Sequence, residues 1–168
     1  FIKAMKADQL GNIYTTGYFS GIVDFDPGLG VFHLSTALTD VEGDVFITKC
    51  NAAGNLLWAK QLGGLLSDYS TSIDVDAVGN VYTAGSFEGT ADFDPGAGTF
   101  NLTASSSNSD IFVSKLNSSG IFVWAKRLGT TTVEDVYSIA LDASGNLFTA
   151  GGYFPGTNSF QIYLNKLD

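Results

Sequence analysis

Cysteine, histidine, proline and basic residues are all scarce in this sequence. The single cysteine, Cys50, excludes an internal disulfide, and it has no second cysteine at metal-ligand spacing. Eight Lys and Arg against seventeen Asp and Glu give a net charge of −9. The basic residues are scattered along the chain and form no stripe that would neutralise a phosphate backbone, so nucleic acid is not expected as a partner. No apolar run approaches the ~20 residues of a membrane-spanning helix. No charged-then-apolar leader precedes Phe1, so the chain is expected to be a mature product or an excised piece. What is abundant narrows the class further. With 45% hydrophobic residues the chain is too apolar to be disordered, and twenty glycines are too many for a helical bundle. A globular β-protein fits, and the scarcity of Lys and Glu beside abundant Ser, Thr, Asn and Gly points outside the cell.

The strongest signal is internal repetition. Gly11 to Leu34 and Gly79 to Leu102 are identical at 15 of 24 positions, at an offset of 68. Further on the offset becomes 66: Asp44-Val45-Phe46 matches Asp110-Ile111-Phe112, and Trp58-Ala59-Lys60 matches Trp124-Ala125-Lys126. The two-residue change falls in the polar stretch from Ala37 to Gly43. A third copy starts at Tyr137 and runs through Asp142-Ala143-Ser144-Gly145-Asn146 to Leu167, without the Asp-Phe-Asp-Pro-Gly segment.

Within a copy the apolar residues alternate with period two between turn signals, as strands do. Asp76-Ala77-Val78-Gly79-Asn80 and Asn117-Ser118-Ser119-Gly120 read as hairpin turns, Asp or Asn bonding the turn backbone and Gly accepting positive φ. This pattern predicts an all-β chain of about two and a half four-stranded antiparallel blades of a β-propeller. The blades are placed at about 1–66 and 67–132, with an incomplete third at about 133–168. About eleven strands are expected, near 2–8, 12–19, 44–50, 56–62, 69–76, 80–87, 110–117, 122–128, 136–142, 146–153 and 161–167.

The ordered motifs are Asp-x-x-Gly-Asn-apolar-Tyr/Phe-Thr-x-Gly, then Asp-Phe-Asp-Pro-Gly, then Asp-apolar-Phe-apolar-x-Lys, then Trp-Ala-Lys-x-Leu-Gly. Together they resemble the bacterial β-propeller repeat family known as SBBP, over nearly the whole chain. The resemblance implies a secreted or surface-attached bacterial protein, often large, modular and exported by the type IX route. It implies no activity.

Among candidate site residues, Asp24 and Asp26 with their twins Asp92 and Asp94 stand out. Carboxylates at i and i+2 share one face of an extended segment and could offer hard oxygen ligands to Ca²⁺. The competing reading, which is preferred, is that Asp-Pro-Gly builds a tight turn; no cofactor is expected. His33 aligns with Asn101 and reads as an exposed polar position. Cys50 aligns with Leu116 and Leu167 and reads as a small buried apolar residue rather than a nucleophile. Trp58 and Trp124 recur at one place and are expected to pack between blades rather than stack on sugars. Lys49, Lys115 and Lys166, which recur along with acids such as Asp44 and Asp110, are expected in surface or inter-blade ion pairs. Ser105 to Ser109 reads as a loop, with no nucleophile elbow around any serine.

No unique catalytic constellation emerges, so the expected function is a non-catalytic binding or structural module holding a protein or glycan partner at a bacterial surface. The alternatives are part of a propeller-based polysaccharide hydrolase or lyase, and an architectural spacer in a surface adhesin or filament. A closed propeller ring needs roughly four to eight blades. The chain is therefore expected to belong to a longer polypeptide or a larger assembly.

Overall fold

The computed structural model describes residues 1–36, 43–105, 109–129, 134–156 and 159–167, with the backbone alone at 154–156 and 159. The segments 37–42 and 106–108, where the length change and much of the serine-rich loop fall, lie outside the described residues.

Eleven strands form three antiparallel blades. Blade 1 comprises β1 (Ile2–Ala7), β2 (Ile13–Phe19), β5 (Asp44–Cys50) and β6 (Leu56–Gly64), paired in that order. Blade 2 repeats the arrangement with β7 (Asp68–Val75), β8 (Val81–Phe87), β11 (Asp110–Leu116) and β12 (Phe122–Leu128). Blade 3 holds β13 (Glu134–Leu141), β14 (Leu147–Gly156) and β15 (Ser159–Leu167). The chain is all-β and partial-propeller in form.

Four further strands exceed the sequence expectation. The Asp-Phe-Asp-Pro-Gly excursions are not irregular: each forms a ribbon, β3 (Ile22–Asp24) with β4 (His33–Ser35) in blade 1, and β9 (Thr90–Asp92) with β10 (Asn101–Thr103) in blade 2. The two ribbons behave differently. Strand β9 pairs with the outer strand of the preceding blade, Asp92 opposite Gly63 and Ala91 opposite Gly64, so blade 2 adds two strands to the sheet of blade 1. Among the described residues, strands β3 and β4 pair only with each other.

The period-two pattern sorts the core into two layers. From β8 and β11, Val81, Phe87, Phe112 and Leu116 point to blade 1 and meet Tyr14, Val45, Ile47 and Leu62. The alternate residues Tyr82, Ala84, Ile111 and Val113 point to blade 3 and meet Val136, Ile139 and Leu147. The central strands of blade 2, β8 and β11, are thus buried on both faces.

The motif glycine after Thr-x has a backbone reason. The first strand of each blade carries a register shift, at Ile2/Ala4, Ser70/Ser72 and Val136/Ser138. Opposite that bulge sit Gly17, Gly85 and Gly151, where a Cβ would overlap the carbonyl oxygen of Phe1, Tyr69 and Asp135 respectively.

Candidate interaction surfaces

Up-and-down pairing puts the hairpin loops between the first two and the last two strands of a blade at one end, and the ribbons at the other. At the first end the Asp-x-x-Gly-Asn loops repeat one geometry. Asp76 Oδ1 accepts the backbone N–H groups of Val78 (3.1 Å) and Asn80 (2.8 Å), while Oδ2 accepts the Asn80 side-chain amide at 2.7 Å. Gly79 at φ 86° closes the turn by donating to Asp76 O. Asp8 and Asp142 do the same with Asn12 and Asn146. Burial raises the Asp8 carboxyl, but the hydrogen bonds from Asn12, Tyr14 and Leu10 outweigh it and hold the group below the ordinary aspartate value. At Asp142 the Asn146 side-chain hydrogen bond is the main cause of the same downward shift. Burial and the Asp8 bond push the neighbouring Tyr14 hydroxyl well up.

At the other end the sequence-predicted carboxylates serve as turn acceptors. Asp24 Oδ1 accepts from the N–H of Asp26 (3.0 Å) and of Phe32 (2.9 Å), and Asp26 Oδ1 from the N–H of Gly28 (2.8 Å). The twin loop repeats this within a tenth of an ångström: Asp92 Oδ1 with Asp94 N and Phe100 N, Asp94 Oδ1 with Gly96 N. The Phe32 and Asp26 backbone bonds hold the Asp24 carboxyl below its ordinary value. Glycine at positions 30 and 98 lets the loop pass close by, since a Cβ there would overlap the Oδ2 atoms of Asp26 and Asp94. Among the described residues no three His, Cys, Asp or Glu side chains converge as an ion-binding group. His33 is exposed on β4.

The recurrent Trp and Lys residues sit on the seams between blades. The Trp58 ring meets Tyr14 edge-on at 6.3 Å, and Trp124 meets Tyr82 at 6.2 Å. Trp58 Nε1 also reaches across to Ser118 O of blade 2, at 3.3 Å. Lys49 lies over the Tyr14 ring and donates to Ser118 O (3.2 Å), while Lys115 lies over Tyr82. These two lysines therefore act through aromatic faces rather than through the expected pairing with Asp44 and Asp110. Asp110 is instead paired with Arg127 at 2.7 Å, and the corresponding Asp44 accepts from Gln61 Nε2.

Sequence reasoning missed one acid that belongs to a single blade. Asp74 on β7 takes the place held by Lys6 in blade 1 and Ala140 in blade 3, and it joins all three blades. Its Oδ1 pairs with Lys6 Nζ at 2.8 Å, and its Oδ2 accepts the Leu141 N–H at 2.7 Å. Its neighbours extend the seam: Ser70 Oγ bonds Gly17 O, Ser72 Oγ accepts the Ile139 N–H and Thr71 Oγ1 donates to Val136 O. The mismatch of Asp74 with its repeat equivalents was the available signal.

Two of the concavities among the described residues follow from this framework. At the hairpin-loop end a cleft of about 540 Å³ opens between blades 1 and 2, lined by Asp8, Gln9, Asn12, Tyr14, Lys49 and Asp76 among others. The second, about 630 Å³, lies on the face of blade 1 turned away from blade 2, walled by Phe19, Phe25 and Phe46 with Cys50 at its side. Cys50 is thus half-buried where its equivalent Leu116 is fully enclosed, and burial, with the nearby Asp26 charge, pushes its thiol up.

Comparison with known proteins agrees with this architecture. A WD repeat-containing protein of Acanthamoeba polyphaga mimivirus, described as uncharacterized, is 24% identical over 184 residues, covering 94% of this chain and 13% of that protein. A protein named regulatory protein FlaEY, from Caulobacter vibrioides, is 33% identical over 110 residues, covering 66% of this chain and 11% of that protein. The chain thus spans a small part of the length of these curated relatives. Residues 57–86, from the fourth strand of blade 1 through the second strand of blade 2, match the SBBP family, described as a beta-propeller repeat.

Proposed function

We propose that the chain is a non-catalytic binding module which holds a protein or glycan partner in the polar cleft between blades 1 and 2. The observation that carries this reading is the makeup of that cleft. It brings carboxylates (Asp8, Asp76), amides (Gln9, Asn12) and the Lys49 ammonium beside a tyrosine, with Leu10 and Val78 exposed on the loops around it. Such a mixture of hydrogen-bonding groups and small apolar surface suits a sugar ring or a peptide backbone. The non-catalytic part is supported by what the acids do elsewhere. Asp74, an acid that neither other blade repeats, is engaged with Lys6 and the Leu141 N–H, and the repeated Asp8, Asp76 and Asp142 hold turns. The setting, outside the cell or at a bacterial surface, rests on the resemblance of the repeat motifs and on composition.

A glycan array and a pull-down from surface extract test the reading together. Binding is expected, and Gln9→Ala or Val78→Asp should weaken it at least tenfold without changing the far-ultraviolet circular dichroism. Turnover of a polysaccharide or peptide, lost on changing a residue found in one blade only, would replace binding by catalysis. Retention of full affinity by both variants would remove the cleft from the mechanism.

A further inference from the structure

Blades 1 and 2 meet at a second place, the ribbon end of their seam, where another concavity of about 370 Å³ opens. Its walls are Lys3, Tyr18, Ser67 and Tyr69. The end of β2 in blade 1 brings Tyr18 and the start of β7 in blade 2 brings Tyr69, so the site spans the seam. The two rings meet edge to face, with centroids 6.4 Å apart at 66°, and form a corner of apolar surface. Both are half-buried. The exposed Lys3 places its ammonium 5.3 Å from the centre of the Tyr18 ring and takes part in no ion pair among the described residues.

Repetition separates this corner from the packing of the core. Trp58 and Trp124 recur and fill seams, whereas Tyr18 gives way to Ser86 and Gly152, Tyr69 to Phe1 and Asp135, and Lys3 to Thr71 and Tyr137. In the seam between blades 2 and 3 the positions of Lys3, Tyr18 and Tyr69 are held by Thr71, Ser86 and Asp135, which carry no ring. The scaffold beneath is common to both seams, since the bulges at Ile2/Ala4 and Ser70/Ser72 sit opposite Gly17 and Gly85 alike. The fold therefore does not demand these rings. Half-exposed aromatic rings beside an ammonium, at positions that the repeat leaves free, offer a ligand both contact area and a hydrogen-bond donor.

The chemistry of the corner selects the ligand. Ring surfaces favour C–H groups, while the ammonium, a donor only, needs an oxygen acceptor close to them. A pyranose ring supplies both, with C–H groups across its face and oxygens around its rim. A proline or aliphatic side chain would fill the corner but leave Lys3 without an acceptor. The volume lies at the small end of ligand sites, which run from roughly 300 to 1,000 Å³, and suits a single sugar ring. We propose that this corner is a glycan site the size of one sugar, separate from the cleft at the hairpin-loop end. One pyranose ring lies with its C–H groups against Tyr18 and Tyr69, and Lys3 donates to one of its oxygens.

Methyl pyranosides of glucose, galactose, mannose, N-acetylglucosamine and glucuronic acid, offered to the 168-residue chain at millimolar concentration, test the proposal by saturation-transfer NMR and titration. At least one is expected to bind, with the strongest transfer on its C–H groups. Tyr18→Ser and Lys3→Thr install the residues that blade 2 carries at the same positions, so circular dichroism should stay unchanged while each weakens binding by about fivefold or more. Tyr18→Phe keeps the ring and should stay within about threefold of the parent. Failure of all five glycosides to bind overturns the proposal, as does affinity that survives Tyr18→Ser. Affinity lost with Gln9→Ala instead gives the sugar to the cleft, which overturns the corner site and leaves the cleft reading standing. Binding of hexaproline that depends on Tyr18, with no glycoside bound, gives the corner to an extended peptide and likewise overturns the proposal.

Discussion

Phe25 and Phe93 occupy the same repeat position, on the same motif, with the same ring neighbours, and differ in whether a blade covers them. Phe93 is 1% exposed, in the core between blades 1 and 2, whereas Phe25 is half-buried on the open face of blade 1. Truncating a fully buried Phe costs about 3–5 kcal/mol, part lost transfer energy and part the cavity left behind. Phe93→Ala is expected at that level. Phe25→Ala gives up only its contacts with Phe19 and Phe46 and a fraction of the burial, so about 1–2 kcal/mol is expected. The gap of roughly 2–3 kcal/mol is the share contributed by blade-on-blade packing. Urea unfolding followed by circular dichroism reads it, as a lower midpoint at unchanged slope. In thermal scans about 2–4 °C per kcal/mol is expected for a chain of this size. Tryptophan fluorescence should trace the same transition, since a probe-dependent midpoint would show blades melting separately and make one free energy meaningless. Equal costs for the two variants, or a larger cost at Phe25, would refute the assignment of core and open face.

Four further outcomes are expected. Asp74→Ala leaves the Leu141 N–H and Lys6 without their partner and should cost about 3 kcal/mol, whereas Lys6→Ala, at a side chain 47% exposed, should cost under about 1 kcal/mol in the same urea titration. Gly85→Ala sets a Cβ against the Tyr69 carbonyl oxygen and should lower the melting temperature by ten degrees or more, whereas Gly21→Ala meets open space and costs only the strain of a side chain at φ 79°. Asp8, Asp24 and Asp142 have lowered pKa values, so their contribution is full above the unfolded value near about pH 4 and is lost as pH falls through the lower folded values; thermal scans from pH 7 to 2.5 should show the drop beginning below about pH 4, and Asp8→Asn should flatten it. A chelator should leave the melting temperature unchanged if Asp24, Asp26, Asp92 and Asp94 act as turn acceptors alone, and a loss of several degrees restored by Ca²⁺ but not Mg²⁺ would make those loops metal sites.

The blade strands were legible because both signals they need are local. Period-two apolarity fixes which residues face a neighbour, and Asp-x-x-Gly-Asn fixes where the hairpins turn. All eleven expected strands lie at or near their predicted positions. The ribbons were not legible as strands, because three-residue segments such as Ile22–Asp24 are too short to show a period, and Pro and Gly between them read as loop. Their different fates were further out of reach. Thr90–Asp92 and Ile22–Asp24 hold the same repeat position, and pairing with the fourth strand of a preceding blade is what sets the first ribbon apart from the second. Asp44 and Asp110 recur, but their partners do not: Gln61 in one blade and Arg127 in the other show that repetition conserves a site's geometry while leaving its chemistry free.

The same distinction locates where a partner could be recognised. A residue that recurs from blade to blade is answering a demand that the repeat makes: a bulge opposite Gly17, Gly85 and Gly151 and an Asx turn at Asp8, Asp76 and Asp142 in all three blades, and a ring on the seam at Trp58 and Trp124 in two. Such residues cannot encode a choice of ligand, since each seam would then bind alike. Selectivity must lie in positions that the repeat leaves free and the surface exposes. Gln9 and Leu10 of blade 1 face Ala77 and Val78 as repeat equivalents across the cleft between blades 1 and 2, and the pair becomes Ala143 and Ser144 in blade 3. The Asx cage beneath holds the loop backbone while these tips vary, which separates the rigid scaffold from the readable surface. Exchanging Gln9-Leu10 for Ala-Ser, as in blade 3, should therefore change what the cleft binds and leave the unfolding free energy from urea titration within about 0.5 kcal/mol of the parent.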